Sequence, residues 1–89
     1  MNKVEVYTKD YCPHCKATKA TLHALGVEFI EFDVTHDTAL EHEMRQRSQR
    51  RTVPQTFINE KHVGGNDDLQ SALSAGDLEE VFKLKTHCA

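Results

Sequence analysis

Several features are missing from this 89-residue sequence, and each absence excludes a class of protein. No apolar run approaches the roughly 20 residues that span a bilayer, so we expect no membrane partner. The net charge is −3, whereas nucleic-acid binders need clustered lysine and arginine, so we expect no nucleic-acid partner either. Only four glycines and two prolines are present, and we find no repeats, linkers or low-complexity segments.

Cysteine is scarce as well, with three in the chain. The first residues lead directly into a strand pattern, so we expect no signal peptide and a cytoplasmic location. In the cytosol, cysteines stay reduced and are more often catalytic or metal-binding than structural. An odd number of cysteines fits one working pair, Cys12 and Cys15, and a spare residue, Cys88.

What the sequence does contain fits a small α/β protein. Apolar residues make up 38% and charged residues 28%, which suits one domain over residues 1–89 with a loose tail at residues 86–89. Runs of β-branched and aromatic residues predict the strands, and capping or turn residues bound the helices. We predict strands at residues 4–8, 27–34, 52–58 and 61–63. The first helix is predicted at residues 16–25, and the second starts at residue 38 and frays over residues 45–51. A third helix opens within residues 64–68 and ends at residue 76, and a short last helix lies around residues 78–82.

This element order, βαβαββαα, predicts a four-stranded mixed sheet flanked by helices. The first half forms a right-handed βαβ unit with two parallel strands, and the second half adds an antiparallel hairpin. The first helix is expected to approach the sheet with a stripe of small residues that Leu22 and Leu25 widen. The small residues are Ala17, Ala20, Thr21 and Ala24. Thr38 and Glu41 have the spacing of a capping box, which predicts that the second helix starts at Thr38.

The strongest chemical signal is Cys-Pro-His-Cys at residues 12–15, between a strand and a helix, a pattern typical of thiol–disulfide redox sites. The thiolate is the reacting form of cysteine, and a helix N-terminus favours negative charge. Lys9, Lys16 and Lys19 are expected to add to this effect. We therefore expect Cys12 to attack a substrate and Cys15, one turn further along, to resolve the mixed disulfide.

Two other interpretations of the cysteines remain open from the residues alone. One is a structural disulfide between them. The other is a zinc site, in which Cys12, Cys15, His87 and Cys88 supply three thiolates and an imidazole. The adjacent positions 87 and 88 lack the spacing of a second ligand pair, which argues against zinc.

Further stretches carry candidate functions. Pro54 begins a strand, either as an ordinary trans proline at a sheet edge or in a cis peptide that turns the N–H and C=O of Val53 outward toward an extended peptide. Gly64 and Gly65 precede a helix start, where the backbone allows close approach and N–H groups attract an anion; Asp67 there is either part of such a site or simply the N-cap. The arginines within residues 45–51 form either a solvated helix end or a contact for a carboxylate.

Three motifs follow each other along the chain. They are Tyr-Thr-Lys-x-x-Cys-Pro-x-Cys from residue 7, Thr-Val-Pro-Gln-x-Phe-Ile from residue 52, and Gly-Gly-x-Asp-Asp-Leu from residue 64. Together they resemble the bacterial dithiol glutaredoxins of the glutaredoxin-3 type, in the thioredoxin superfamily, over residues 4–85. The resemblance implies a thioredoxin-like fold, glutathione as cosubstrate and no metal.

The resemblance also assigns the site. It implies that Cys12 takes up glutathione, that Cys15 resolves, that Val53 pairs its backbone with the cysteinyl unit of glutathione, and that Asp67 receives its ammonium group. The glutathione-binding residues that it implies are Lys9, Tyr11, His14, Thr52, Val53, Pro54, Gly65, Asn66 and Asp67, with Arg47 or Arg51 as a further contact.

Two positions depart from the family pattern. His14 stands where tyrosine is usual, which replaces a phenol with an imidazole and puts the wall of the substrate groove in question. Because imidazole changes its charge between pH 5 and 8, the departure predicts a more pH-dependent activity. Asn66 stands where several relatives have an additional cysteine, so this chain lacks that side thiol.

We therefore predict a monomeric, glutathione-dependent thiol–disulfide oxidoreductase that reduces protein disulfides and glutathionylated proteins with electrons from glutathione. The alternative is a binding module, an iron–sulfur cluster carrier ligated by Cys12 and glutathione in a dimer, against which Pro13 and Cys15 argue. A thioredoxin-like reductase that does not use glutathione is the closer enzymatic rival.

Overall fold

A computed structural model of the chain describes residues 3–76 and residue 78. Apart from Leu78, the predicted last helix at 78–82 and the tail at 86–89 lie outside the described residues. Among the described residues, no helix is long and apolar enough to cross a membrane. The elements are β1 (Val4–Thr8), α1 (Pro13–Ala24), β2 (Ile30–Asp33), α2 (Thr38–Ser48), β3 (Gln55–Ile58), β4 (Lys61–Gly64) and α3 (Asn66–Ala75).

The four strands form one mixed sheet in the order β2-β1-β3-β4. β1 pairs in parallel with β2, placing Tyr7 opposite Phe32, and it pairs antiparallel with β3. β3 and β4 form an antiparallel hairpin, whose turn residues Asn59 and Glu60 both have positive φ. The predicted sheet of two parallel strands plus an antiparallel hairpin is confirmed.

Helices cover both faces of the sheet, and for this reason β1 is buried along its whole length. On one face Met44 of α2 packs with Tyr7 and Phe57 of the sheet. On the other face Leu22 of α1 and Leu69 of α3 pack against the valines of β1. Because α1 and α3 lie side by side on the same face, their N-terminal ends are brought to one region of the molecule.

A polar cluster connects α2 to the sheet. Arg47 donates hydrogen bonds to the nearly buried Glu5 carboxylate (3.0 Å) and to the Tyr7 hydroxyl (2.8 Å), and its guanidinium carbon lies 4.1 Å from the ring centre of Phe57. Although burial opposes it, the hydrogen bonds with Glu5 and Tyr7 raise the pKa of Arg47. Burial and a hydrogen bond to Glu43 raise the pKa of Tyr7 to about 12. Arg47 therefore stabilises the packing of α2 on the sheet.

The buried face of α1 differs from the predicted one. The side chains that face the core are Cys15, Thr18 and Leu22, whereas the three alanines of the predicted stripe are exposed. Positions three and four residues apart share one face of a helix, so the inward direction of Cys15 also fixes Thr18 and Leu22. The prediction was right for Leu22 but wrong for the alanines, because small size permits close packing but does not specify which face packs.

The start of α2 at Thr38 is confirmed, but its capping residue and its end differ from prediction. Its N-cap is Asp37, whose carboxylate accepts the backbone N–H of Leu40 at 3.0 Å, so Thr38 is the first helical residue and not the cap. The helix continues to Ser48, so the predicted fraying over residues 45–51 was wrong for its first four residues. The hydrogen bonds of the last turn are supported by tertiary packing, which the polar local sequence does not reveal.

β2 is shorter than predicted, since it covers Ile30–Asp33 and not residues 27–34. The first of the missing positions has another backbone partner: the N–H of Val27 donates to the carbonyl of Leu22 at 2.9 Å, where α1 ends. The apolar residues at 27 and 29 are half-buried and pack against the core around Leu22. The hydrophobic residues before Ile30 were therefore predicted as strand, whereas they cover the end of α1.

Candidate active site at the start of helix α1

Helix α1 begins at the first of the two predicted redox cysteines. Cys12 is the N-cap in an extended conformation, and Pro13 fills the first helical position, where a missing N–H costs little. The backbone N–H of Cys15 donates to the Sγ of Cys12 at 3.2 Å. The sulfur thus takes the place that a serine or aspartate oxygen has at other helix starts, and the positive end of the helix dipole faces this sulfur.

The two cysteines have unequal environments. Cys15 has no exposed surface, whereas Cys12 is 8% exposed. Burial, followed by the hydrogen bond with Cys12, raises the pKa of the Cys15 thiol to about 12. Its raised pKa therefore keeps the Cys15 thiol protonated at neutral pH, whereas Cys12 is the cysteine of the pair with exposed surface.

The lysines that were expected to support Cys12 point elsewhere or lie in solvent. The Nζ of Lys9 lies 3.7 Å from the Oε2 of Glu41. Lys16 is exposed. The hydrogen bond that the Cys12 sulfur accepts comes from the backbone N–H of Cys15, so the donor at this sulfur is the helix terminus.

The loop before β3 lies beside Cys12. Its Val53–Pro54 peptide bond is cis, which decides between the two interpretations of Pro54. The carbonyl oxygen of Val53 lies 3.7 Å from the Sγ of Cys12 and accepts a weak hydrogen bond from the thiol. Pro54 is buried while Thr52 is exposed, so the backbone of this loop reaches the surface next to the sulfur.

The start of α3 forms the next part of the site. Gly65 is the N-cap, and its N–H donates to the Oδ2 of Asp68 at 3.0 Å. Arg50 donates to the same oxygen at 2.9 Å, and this bond, together with the one from Gly65, lowers the pKa of Asp68. Asp67 is not the N-cap, because it is the second residue of the helix, and its side chain is exposed.

Glycine is required at one of the two positions before α3. Gly64 has φ of +120°, and a Cβ there would overlap the carboxylate of Asp68. Gly65 has φ of −82°, and a Cβ there would lie 3.5 Å from the carbonyl oxygen of Pro54. The start of α3 therefore lies directly against the loop with the cis peptide.

These parts border a shallow groove of about 170 Å³. It brings together most of the predicted glutathione-binding residues, but Lys9 and Tyr11 do not line it. Neither cysteine is among the described lining residues of this groove or of two larger hollows, of about 490 and 610 Å³. The sulfur of Cys12 instead contacts the groove through the carbonyl of Val53. The residues that line the groove are His14, Thr52, Val53, Pro54, Gly65, Asn66, Asp67 and Asp68.

Asn66 has a second role besides lining the groove. Its Oδ1 accepts a hydrogen bond from the buried hydroxyl of Thr18 at 3.0 Å and another from Gln70 at 3.4 Å. Gln70 also donates to the hydroxyl of Thr21 at 2.9 Å. Because Thr18 and Thr21 belong to α1, these bonds fix the start of α3 relative to the helix that holds the cysteines.

Residues that support the groove from behind were not predicted from the sequence. Asp68 and Arg50 fix the start of α3, and the buried Gln55 bonds to Thr52 on one side and His62 on the other. The Gly-x-x-Asp spacing is a capping signal that would have identified Asp68. Nothing in the sequence distinguishes Arg50 from the neighbouring arginines, and the structure places Arg51 at the surface.

Both cysteines of the motif are free thiols in this structure. Among residues 3–76 and 78, no three His, Cys, Asp or Glu side chains are grouped closely enough to hold a metal ion. The other two ligands of the zinc interpretation, His87 and Cys88, lie outside the described residues.

Comparison with family models and comparison with individual proteins both match this chain to glutaredoxins. A family model described as glutaredoxin matches residues 4–63. Glutaredoxin 3 of Escherichia coli strain K12 is 45% identical over 83 residues, which cover 93% of this chain and 100% of that protein. A glutaredoxin of Neisseria meningitidis serogroup B is 43% identical over 84 residues, which cover 92% and 98% of the two chains.

Solved structures with the same fold are also glutaredoxins. The solution structure of glutaredoxin from Brucella melitensis has a TM-score of 0.78 and 43% identity, covering 91% of this chain and 88% of that one. The crystal structure of a buckwheat glutaredoxin–glutathione complex has a TM-score of 0.83 and 28% identity, covering 92% and 77%. The mixed sheet described above is therefore the predicted thioredoxin-like fold.

Proposed function

The chain belongs to the glutaredoxin family, and from this premise we propose that its Cys12 and Cys15 reduce protein disulfides and glutathionylated proteins with electrons from glutathione. Family membership makes the chain a glutathione-dependent thiol–disulfide oxidoreductase in general terms. The dithiol route, its direction and the roles of individual residues are the proposal. The observation that carries it is the 3.2 Å hydrogen bond from the backbone of Cys15 to the Sγ of Cys12, at a groove bordered by the cis peptide.

Removal of glutathione from a protein uses Cys12 alone. The Cys12 thiolate attacks the glutathione sulfur of the mixed disulfide, and the protein cysteine leaves as a thiolate that takes a proton from solvent. A second glutathione, as thiolate, then attacks the glutathione sulfur bound to Cys12. Glutathione disulfide leaves with the two oxidised sulfurs, and Cys12 regains its negative charge.

Reduction of a protein disulfide requires both cysteines. Cys12 attacks one sulfur, which gives a mixed disulfide and one protein thiol. Cys15 then loses its proton, attacks the Sγ of Cys12 and releases the second protein thiol. The resulting Cys12–Cys15 disulfide takes two electrons from two glutathione molecules and returns to the dithiol. The buried thiol of Cys15 is suited to this second step, because it reacts after a neighbouring disulfide has formed and not with solvent-borne oxidants.

The groove offers groups that complement glutathione. We assign the backbone of Val53 to the cysteinyl unit, the exposed carboxylate of Asp67 to the ammonium group, and the N–H groups at the start of α3 to the adjacent carboxylate. His14 forms the wall next to the cysteines. Lys9 and Tyr11, which do not line the groove, remain proposed contacts on the loop that precedes Cys12.

Trapping the first intermediate tests this proposal. Cys15→Ser protein, treated with glutathione disulfide and then analysed by intact mass and peptide mapping, is expected to hold one glutathione on Cys12. Cys12→Ser protein is the matched control and is expected to hold none at residues 12–15. Stable labelling of Cys15 in the Cys12→Ser variant, at the rate seen for Cys12, would contradict the assignment of the nucleophile.

Several expectations from the sequence stay predictions. They are a single domain over residues 1–89, the monomeric state, the cytoplasmic location and the alternative of a glutathione-ligated iron–sulfur carrier. Purification under anaerobic conditions with iron, sulfide and glutathione distinguishes the last of these. A brown dimer is the product expected of a carrier, and a colourless monomer is the product expected of the oxidoreductase.

A further inference from the structure

A fully buried glutamine lies directly behind the cis-peptide loop. Gln55 is the first residue of β3 and has no exposed surface. Its Nε2 donates to the backbone carbonyl of Thr52 at 3.0 Å and contacts the hydroxyl of the same residue at 3.2 Å. Its Oε1 lies 2.7 Å from the Nε2 of His62 on β4. Every polar atom of this buried side chain therefore has a partner.

The direction of each hydrogen bond in this chain follows from the carbonyl group of Thr52. The carbonyl of Thr52 is only an acceptor, so the Gln55 amide must turn its NH₂ toward it. The amide oxygen then faces His62, whose Nε2 must carry a proton in order to donate to it. The ring of His62 is itself held against Phe57, with ring centres 5.0 Å apart at an angle of 35°. The hydrogen-bond direction is thus set from His62 through Gln55 to Thr52.

The end of this chain is part of the groove. Thr52 is exposed, and it is followed by Val53, whose carbonyl lies 3.7 Å from the Cys12 sulfur. The bond from Gln55 holds the carbonyl of Thr52 inward, and a rotation of that peptide group would also move the N–H of Val53. The side chain of Gln55 therefore reaches the substrate-facing backbone without itself touching the groove.

We propose that Gln55, oriented by His62, is a positioning residue that holds the Thr52–Val53 backbone in the geometry that pairs with the substrate. The inference rests on the proposed function, since it assigns the means by which the same groove is shaped. It concerns binding more than chemistry, because the cysteines and the start of α1 are not part of this chain of bonds.

The test is steady-state turnover of a mixed disulfide between glutathione and a cysteine-containing peptide. Gln55→Met keeps the length and volume of the side chain and removes its hydrogen bonds. We expect its KM to rise about tenfold, as for lost hydrogen bonds of ordinary strength, with kcat within about twofold of wild type. His62→Phe keeps the ring on Phe57 and removes the donor, and we expect a KM increase of about threefold.

The double variant separates positioning from simple loss of structure. Because His62 acts through Gln55, the double variant is expected to have the same KM as Gln55→Met alone. If the two residues acted independently, their two increases in KM would multiply. Gln46→Met on the exposed surface of α2 and His23→Phe at the end of α1 are matched controls, for which KM is expected to stay at the wild-type value. If Gln55→Met does not fold, the KM of His62→Phe decides: an increase of about threefold supports the inference, and an unchanged KM overturns it.

A second readout does not depend on turnover. In wild type the exchange of the Val53 amide hydrogen, measured by NMR without substrate, reports the order of the loop, and we expect it to be at least about fivefold faster in Gln55→Met. Unchanged KM and unchanged exchange in the folded Gln55→Met protein would overturn the inference while leaving the oxidoreductase function intact. A wild-type protein that does not turn over the mixed disulfide would instead overturn the proposed function.

Discussion

The backbone N–H of Cys15 donates to the Sγ of Cys12 at 3.2 Å, so the proposed resolving residue also supports the proposed nucleophile before any reaction takes place. The same turn of helix buries the Cys15 sulfur and leaves Cys12 8% exposed, in contact with the groove residue Val53. One element therefore gives the two cysteines different reactivities. This arrangement needs no charged side chain, because the helix terminus supplies the positive potential.

The first prediction concerns selective alkylation. Because burial raises the pKa of Cys15 to about 12, its thiol stays protonated at pH 8 and reacts slowly. In reduced Cys88→Ser protein, iodoacetamide at pH 8 is expected to modify Cys12 at least about tenfold faster than Cys15. Peptide mapping over a time course measures the two rates. Equal rates of modification would contradict the different roles given to the two sulfurs.

A second prediction compares the two glycines before α3. Gly64→Ala places a methyl group on the Asp68 carboxylate at a positive φ, so we expect a loss of about 2 kcal/mol in the free energy of unfolding. Gly65→Ala is the matched control, since its Cβ has room, and the expected loss is below about 1 kcal/mol. Urea unfolding measures both. A Gly64→Ala protein as stable as Gly65→Ala would show that the tight turn does not depend on glycine.

The third prediction tests the polar cluster between α2 and the sheet. Arg47→Met leaves the nearly buried carboxylate of Glu5 without its closest partner, and we expect a loss of about 2 kcal/mol in the free energy of unfolding. Arg45→Met on the exposed side of α2 removes one ion pair with Glu41 and is expected to cost less than about 0.5 kcal/mol. If both changes cost the same, the cluster does not contribute as described.

The extent to which the sequence predicted this structure differs between elements. Strand β1, the hairpin and the cysteine-bearing helix were predictable, because period-two patterns, turn residues and the Cys-Pro pair are local signals. The inward face of α1 was not, since it depends on the direction in which Cys15 points after folding. For the groove, the motifs led to Thr52, Val53 and Gly65, which the structure brings together.

The supporting residues lay beyond the reach of sequence reasoning for a physical reason. Gln55 and His62 are seven positions apart, and their contact depends on the register of the β3–β4 hairpin, which contains an irregularity near Thr56 and Phe57. Lys9 was expected near the cysteines, but its partner Glu41 comes from a separate helix. Such pairings are fixed by tertiary packing and leave no local pattern.

The fourth prediction concerns the pH dependence of stability at His62. Burial lowers the pKa of His62, and the nearby charge of Arg50 lowers it further, while the charge of Asp68 acts in the opposite direction. The unfolded chain therefore binds a proton more readily there, so the contribution of His62 is complete above about pH 6.5 and is lost as the pH falls below that value. The stability difference between wild type and His62→Phe is expected to shrink between pH 7.5 and pH 5. A constant difference in urea unfolding across this range would contradict it.

The central claim is that Cys12 and Cys15 form a glutathione-dependent dithiol, and one set of turnover measurements tests it most directly. Wild type, Cys12→Ser and Cys15→Ser are each assayed with a glutathione mixed disulfide and with a protein disulfide, with glutathione as the reductant. We expect Cys12→Ser to lose both activities by at least about a hundredfold, and Cys15→Ser to keep the first within about threefold and lose the second. Normal turnover of the mixed disulfide by Cys12→Ser would contradict the account.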